Sequence, residues 1–267
     1  MKIHHLLTYI SLLMLLASCG KESSGSKKTA TITPDQVTHL LEKQTFECAS
    51  LTGGRCPEGI ARVFILNVAD PTQSELCSGF LSDSNRLVTN HHCISTQKQC
   101  DSTYVSIFNG DTYEVAKCQN LVSAEDDGRP LESKGIDYAV MELDRHIRTA
   151  QAFPISKRAA KPGEQMTAWV IDHVDLFNAR ITELNCTFNE EVESLELANC
   201  PVISGNSGSP LVNEKGEIMG VIWGATTSES VNEETPLEER RELNDEAYAT
   251  DLKHFKMHLT KKINPTI

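Results

Sequence analysis

From residue 61 onward, apolar positions fall in short runs bounded by Gly, Asn, Asp, Ser and Pro. The runs "ARVFILNV", "RLVTN", "TYVSIFNG", "YEVAKC", "DYAVMEL", "MTAWVI" and "EIMGVIWG" are rich in β-branched and aromatic residues. Each is short enough to be a strand and too short for most helices. The final stretch "DLKHFKMHLTKKI" has a different period: Leu252, Phe255 and Leu259 share one helical face. Upstream, Thr33-Pro34-Asp35 reads as the cap and first turn of a short helix carrying Val37, Leu40 and Leu41. Many strands followed by one helix predict an all-β barrel or sandwich. No internal repeat is evident.

The chain start does not fit that pattern. Leu6 to Ala17 is almost wholly apolar, follows Lys2 and ends in small residues. It is too short to span a bilayer, and this is the pattern of an export signal. Leu16-Ala17-Ser18-Cys19 resembles the signal of bacterial lipoproteins. The resemblance implies cleavage before Cys19, lipidation of that cysteine and anchoring to a cell-envelope membrane, since acyl chains bind bilayers at about 0.8 kcal/mol per buried CH₂. Gly20 after the lipid cysteine favours the outer membrane or its periplasmic face. The polar stretch "GKESSGSKKTATIT" then reads as a flexible tether.

Composition adds two constraints. The formal net charge is −12, and removal of residues 1–18, with one lysine and no acid, makes it one unit more negative. Nucleic acid is therefore not an expected partner. Much of the acid lies in "SESVNEETPLEERRELNDE", Ser228 to Glu246. It is either a solvated loop or a negative rim that attracts basic peptides. Nine cysteines are present. Without Cys19 there remain Cys48, Cys56, Cys77, Cys93, Cys100, Cys118, Cys186 and Cys200. An even set in an exported chain points to disulfides. Many pairings are open, and pairing between sequence neighbours is the simplest. His91-His92-Cys93 suggests a metal site only weakly, because no CxxC pair occurs, so neither metal nor cofactor is expected.

The chemistry lies in three separated stretches. "GNSGSPLV" contains Ser207 between glycines, "LVTNHHC" ends a β-rich run with His92 before Cys93, and "GIDYAVMEL" puts Asp137 at the head of an apolar strand. Acyl transfer by serine needs a base for the hydroxyl proton and a carboxylate to hold the imidazole tautomer. It also needs oxyanion donors, and Gly-X-Ser can supply the N–H groups of Gly205 and Ser207. In the order His, Asp, Ser, these stretches resemble the chymotrypsin-like serine peptidases over roughly residues 58 to 260. The nearest branch is similar to the bacterial glutamyl endopeptidases, through "NSGSPLVNEKGEIMGVIWG".

That resemblance implies two packed six-stranded antiparallel β-barrels with a C-terminal helix. The barrels would cover about residues 58–150 and 160–250, and the helix about 250–263. Residues 46–267 would form the peptidase domain, after a signal at 1–18 and a lipidated, tethered, short-helical segment at 19–45. It implies a Cys77–Cys93 disulfide, with His92 as base, Asp137 as its carboxylate and Ser207 as nucleophile. His91 is then structural.

Departures from the family carry information as well. The animal digestive members have Asp before the nucleophile, where Asn206 stands here, and no "IVGG"-like start precedes "ARVFIL". The activation switch built on that acid is therefore not expected. The glutamyl branch has a histidine where Ile222 stands and a hydroxyl residue where Val202 stands. With Trp223 and Gly224, these positions imply an apolar substrate pocket and cleavage after small or apolar residues, not Glu, Lys or Arg. The expected activity is a membrane-tethered, monomeric serine endopeptidase acting on peptides or proteins. The alternative is a catalytically silent, lipid-anchored binding module on the same fold. A protease-chaperone is disfavoured, because no peptide-binding domain follows the terminal helix.

Overall fold

The structure is a computed structural model and describes residues 34–41, 43–51, 53–67, 74–129, 135–174, 178–191, 194–225 and 246–260, with 236, 239 and 241. The export signal, Cys19, the tether and nearly all of the acidic stretch 228–246 lie outside the described residues.

Six strands close into a first barrel: β2 (Ile60–Ile65), β3 (Glu75–Asp83), β4 (Arg86–Thr89), β5 (Thr103–Phe108), β6 (Tyr113–Asp126) and β7 (Asp137–Leu143), in the order β2-β3-β4-β7-β6-β5. A second ring follows from β8 (Gln165–His173), β9 (Asn178–Glu191), β10 (Leu195–Ala198), β11 (Pro210–Val212), β12 (Ile218–Ala225) and β13 (Glu246–Asp251). Its order is β9-β10-β13-β12-β11-β8, and β8 pairs back onto β9. All pairings within the two rings are antiparallel. The fold is the expected pair of six-stranded barrels. One further strand, β1 (Thr45–Ala49), adds in parallel to the start of β9.

The period of two explains how β2 serves several partners at once. Ala61, Val63 and Ile65 point into the core of the first barrel with Leu81, Leu87, Val105, Ile107 and Met141. The alternate residues point outward. Ile60 joins the apolar layer between the barrels, with Phe80, Tyr138, Ile171, Val212 and Val221. Phe64 lies under helix α1 (Pro34–Leu41), against Val37 and Leu41. Arg62, between them, is 1% exposed and reaches the second barrel. β2 is buried on both faces, which is why it reads as continuous and not alternating.

The helical face expected at the C-terminus forms α3 (Leu252–Thr260). Its Leu252, Phe255 and Leu259 pack into the layer between the barrels, with Phe255 against Tyr138. A single turn, α2 (Gln97–Cys100), is closed by a capping box between Thr96 and Gln99.

Four disulfides join sequence neighbours: Cys48–Cys56, Cys77–Cys93, Cys100–Cys118 and Cys186–Cys200. Each closes a short loop, worth about 3 kcal/mol on the chain-entropy account. Cys77–Cys93 ties the strand β3 to the turn after β4, where His91 and His92 sit.

Candidate active site

Asp137 opens β7 inside the molecule and is fully buried. A buried carboxylate needs partners, and here they come from the turn after β4. The His92 backbone N–H donates to Asp137 Oδ1 at 3.2 Å, and His92 Nδ1 lies 2.7 Å from Oδ2. The His92 side chain is 40% exposed, while the Asp137 carboxylate beneath it is sealed from water. The backbone of Asp137 is held just as firmly. Its N–H donates to Thr250 Oγ1 at 2.8 Å, and its carbonyl accepts from Asn90 Nδ2 at 2.7 Å. His91 turns away and lies 3.4 Å from Asp126.

Ser207 sits on the turn before β11, between two glycines that adopt the left-handed region: Gly205 at φ 90° and Gly208 at φ 92°. Only glycine fits there without strain. A Cβ on Gly208 would also lie 1.9 Å from the Ser78 carbonyl oxygen, because the two barrels meet at this point. The turn is held from both sides. From the first barrel, the Ser78 N–H donates to the Ser207 carbonyl at 2.7 Å and its hydroxyl to the Gly205 carbonyl at 3.0 Å. From the second, the Gly208 N–H donates to the Ile222 carbonyl at 2.8 Å. The Ser207 hydroxyl is directed to the Trp223 carbonyl, 3.5 Å away. Among the described contacts no hydrogen bond joins it to the His92 ring.

Asn206 is buried and supports the turn from beneath. Its Oδ1 accepts from the Ile203 N–H at 2.9 Å, and its Nδ2 donates to the Ile171 carbonyl at 2.9 Å. The acid at this place comes from β8: Asp172 Oδ1 lies 3.4 Å from Asn206 Nδ2. Asp172 is 2% exposed and pairs with Arg241, whose other nitrogen donates to the Pro201 carbonyl at 2.7 Å. An internal ion pair thus lies under the turn that carries Ser207.

Of the residues expected to line the substrate pocket, Val202, Ile222 and Trp223 are buried. Val202 and Ile222 are 2% and 0% exposed and belong to the core of the second barrel, with Met166, Ala168 and Leu211. A bulge in β12 is the reason: Leu211 pairs with Gly220 but Val212 with Ile218, so strict alternation breaks, and Ile218 and Val221 face the layer between the barrels while Met219 and Ile222 face the barrel interior. Trp223 is stacked on Tyr248 with ring centroids 5.4 Å apart, and Gly224 beside it is partly buried. The side chains of Val202 and Ile222 therefore present no open wall in this state.

Cys77, His92 and Cys93 place a nitrogen and two sulfurs within 4.8 Å of one another. The sulfurs are bonded to each other and offer no thiolate to a metal.

Sequence reasoning did not single out Ser78, Asn90, Asp172, His173, Arg241 or Thr250. Asn90 lies within the stretch "LVTNHHC" without drawing attention to itself, Asp172, His173, Arg241 and Thr250 stand in no motif, and each acts on a residue far along the chain. Ser78 had a further signal, its place directly after the half-cystine Cys77.

The family model for the trypsin-like peptidase domain matches residues 77–221, more than half of the chain. No curated protein sequence matches it. Among solved structures, the chain is similar to a scabies mite inactivated protease paralogue, with a TM-score of 0.55 and 12% identity over 80% of this chain and 98% of that one. It is also similar to a Glu endopeptidase solved with MPD, with a TM-score of 0.54 and 14% identity over 76% of this chain and 91% of that one. At these identities the likeness is one of fold. By the matched residues and the twin barrels, the chain belongs to the trypsin-like peptidase family.

Proposed function

We propose that this protein is a membrane-tethered serine endopeptidase, with Ser207 as nucleophile, His92 as base and Asp137 as the carboxylate that orients it. The observation that carries the reading is the 2.7 Å contact between His92 Nδ1 and the buried Asp137 carboxylate. A carboxylate on Nδ1 fixes the tautomer that leaves Nε2 free to accept a proton. In the reaction the Ser207 hydroxyl leaves the Trp223 carbonyl and donates its proton to that nitrogen. Ser207 Oγ then attacks the scissile carbonyl carbon as its proton passes to His92. The oxyanion is met by the N–H groups of Gly205 and Ser207. The C–N bond breaks as the imidazolium protonates the leaving amine. Water, deprotonated by His92, hydrolyses the acyl-enzyme.

The residue before the cut is small or apolar. The positions where glutamyl relatives place polar groups are Val202 and Ile222, and burying a substrate carboxylate beside them would cost several kcal/mol. Anchoring runs through a lipid on Cys19, placing the enzyme at a cell-envelope membrane.

The test is reaction of the full chain with a fluorophosphonate. Labelling that Ser207→Ala and His92→Ala both abolish supports the peptidase. An unlabelled wild-type chain supports the silent binding module, a reading that the orientation of Ser207 towards Trp223 favours. Retention of Cys19→Ala in the detergent phase to the same degree as wild type would overturn the anchor.

A further inference from the structure

Arg62 and His173 lie 111 positions apart and meet between the barrels. The Arg62 Nε–H donates to His173 Nδ1 at 3.0 Å. A guanidinium has no acceptor, so Nδ1 must be the unprotonated nitrogen and the ring proton lies on Nε2. Nε2 is 3.1 Å from the Gly205 carbonyl oxygen and therefore donates to it. Burial, and then the Arg62 charge, push the pKa of His173 down to about 3, so the ring keeps this neutral form at working pH. The fit is tight: a Cβ on Gly205 would lie 2.7 Å from His173 Cδ2.

The Gly205 carbonyl belongs to the turn whose N–H groups are assigned to the oxyanion. Its direction sets the Gly205–Asn206 peptide, and with it the relation between the Gly205 and Ser207 donors. Oxyanion stabilisation depends on donors fixed before the reaction, because reorienting them during it removes the advantage. We infer that His173, its tautomer set by Arg62, is a positioning residue for the oxyanion turn: it holds the Gly205 carbonyl so that the Gly205 and Ser207 N–H groups face the developing charge. The inference rests on the peptidase reading of the site. Ser78 shares the work from the opposite side, through its hydroxyl on the same carbonyl. Loss of His173 alone therefore weakens the turn without releasing it.

The experiment compares the full-length wild type with His173→Leu and His173→Gln. Glutamine keeps an N–H donor at similar reach, and leucine keeps only bulk. The readouts are kcat and KM on one peptide substrate, the rate of phosphonylation of Ser207, and Tm. His173→Leu is expected to lower kcat and the phosphonylation rate about 10- to 100-fold, with KM within about threefold, while His173→Gln recovers most of the loss. Equal losses in both variants that follow Tm would mean a structural role only and overturn the inference. So would a His173→Leu enzyme as reactive as a reactive wild type. A wild-type chain inert to both substrate and phosphonate overturns the peptidase reading, and this inference with it.

Discussion

The N–H of Ser78, on the first barrel, donates to the carbonyl of Ser207, on the second, across 2.7 Å. Ser78 follows Cys77, and His92 precedes Cys93, so the Cys77–Cys93 bridge links the grip on Ser207 to His92, the proposed base. Replacing both cysteines by alanine is expected to cost about 3 kcal/mol of stability, as for any loop of this size. It should also lower kcat in the fraction that remains folded. Removing Cys100–Cys118, which closes a loop of similar length away from the site, should cost similar stability and leave kcat intact. Denaturant midpoints and kcat on both variants check this. Equal kcat losses would mean that the bridge contributes stability alone.

His92, Asp137 and Ser207 should behave as a unit. Alanine at any one is expected to lower kcat by roughly 10⁴-fold or more, and double variants should lose little more. Asp137→Asn should lose nearly as much by leaving the imidazole in the wrong tautomer. His91→Ala, which removes only the contact with Asp126, should stay within a few-fold of wild type. Steady-state kinetics on the set decide, and a reversed order of the two histidines would move the base to His91.

Thr250 holds the Asp137 backbone in both directions: its hydroxyl oxygen accepts from the Asp137 N–H at 2.8 Å, and its proton is directed to the Asp137 carbonyl at 3.2 Å. Valine there has the same shape and leaves a buried N–H unpaired, at a cost of about 1–3 kcal/mol. Thr250→Val should therefore lower the unfolding free energy by that amount and reduce kcat more than KM. Thr250→Ser should restore both. Chemical denaturation and kinetics measure the two effects separately.

Asp172 is nearly sealed from water, and Arg241 neutralises it from the edge of the acidic stretch. Arg241→Met would remove the ion pair and leave a buried charge with hydrogen bonds from Thr182 and Asn206. A loss of about 3–5 kcal/mol is expected. Adding Asp172→Asn should recover part of it, since the uncompensated charge is then gone. A double variant no more stable than Arg241→Met would show that packing, not charge, dominates here.

His173 also makes a pH prediction. Its pKa is lowered to about 3 from an ordinary 6.5, so the unfolded chain binds the proton more readily than the folded one. The stability this group contributes is therefore full above pH 6.5 and is lost as pH falls from there towards 3. In that window the wild type should lose stability at up to about 1.4 kcal/mol per pH unit more steeply than His173→Gln. His254, also held below its ordinary value by burial, is present in both proteins and cancels in the comparison. Identical slopes from pH 4.5 to 6.5 would show that His173 titrates normally.

What the sequence determined by itself was everything governed by local pattern. Runs of β-branched residues between turn residues set the strands, and a change of period at Leu252 marked the terminal helix. Ser207, His92 and Asp137 stood out because each sits in a short motif of its own. Neighbouring half-cystines paired because short loops close at the lowest entropic cost. The tertiary structure decided what no local pattern encodes. Ile222 reads as apolar in either setting, and only the bulge that shifts the register of β12 between two different cores placed it inside the second barrel. Arg62 reads as a polar interruption of an apolar strand until β2 is seen to face the other barrel. His173, Asp172, Arg241 and Thr250 have partners 10 to 113 positions away along the chain. Such contacts form only when separate elements, and for Arg62 with His173 and Asp137 with Thr250 the two barrels, are brought together, because the strand pattern fixes which face a residue takes but not what that face will meet.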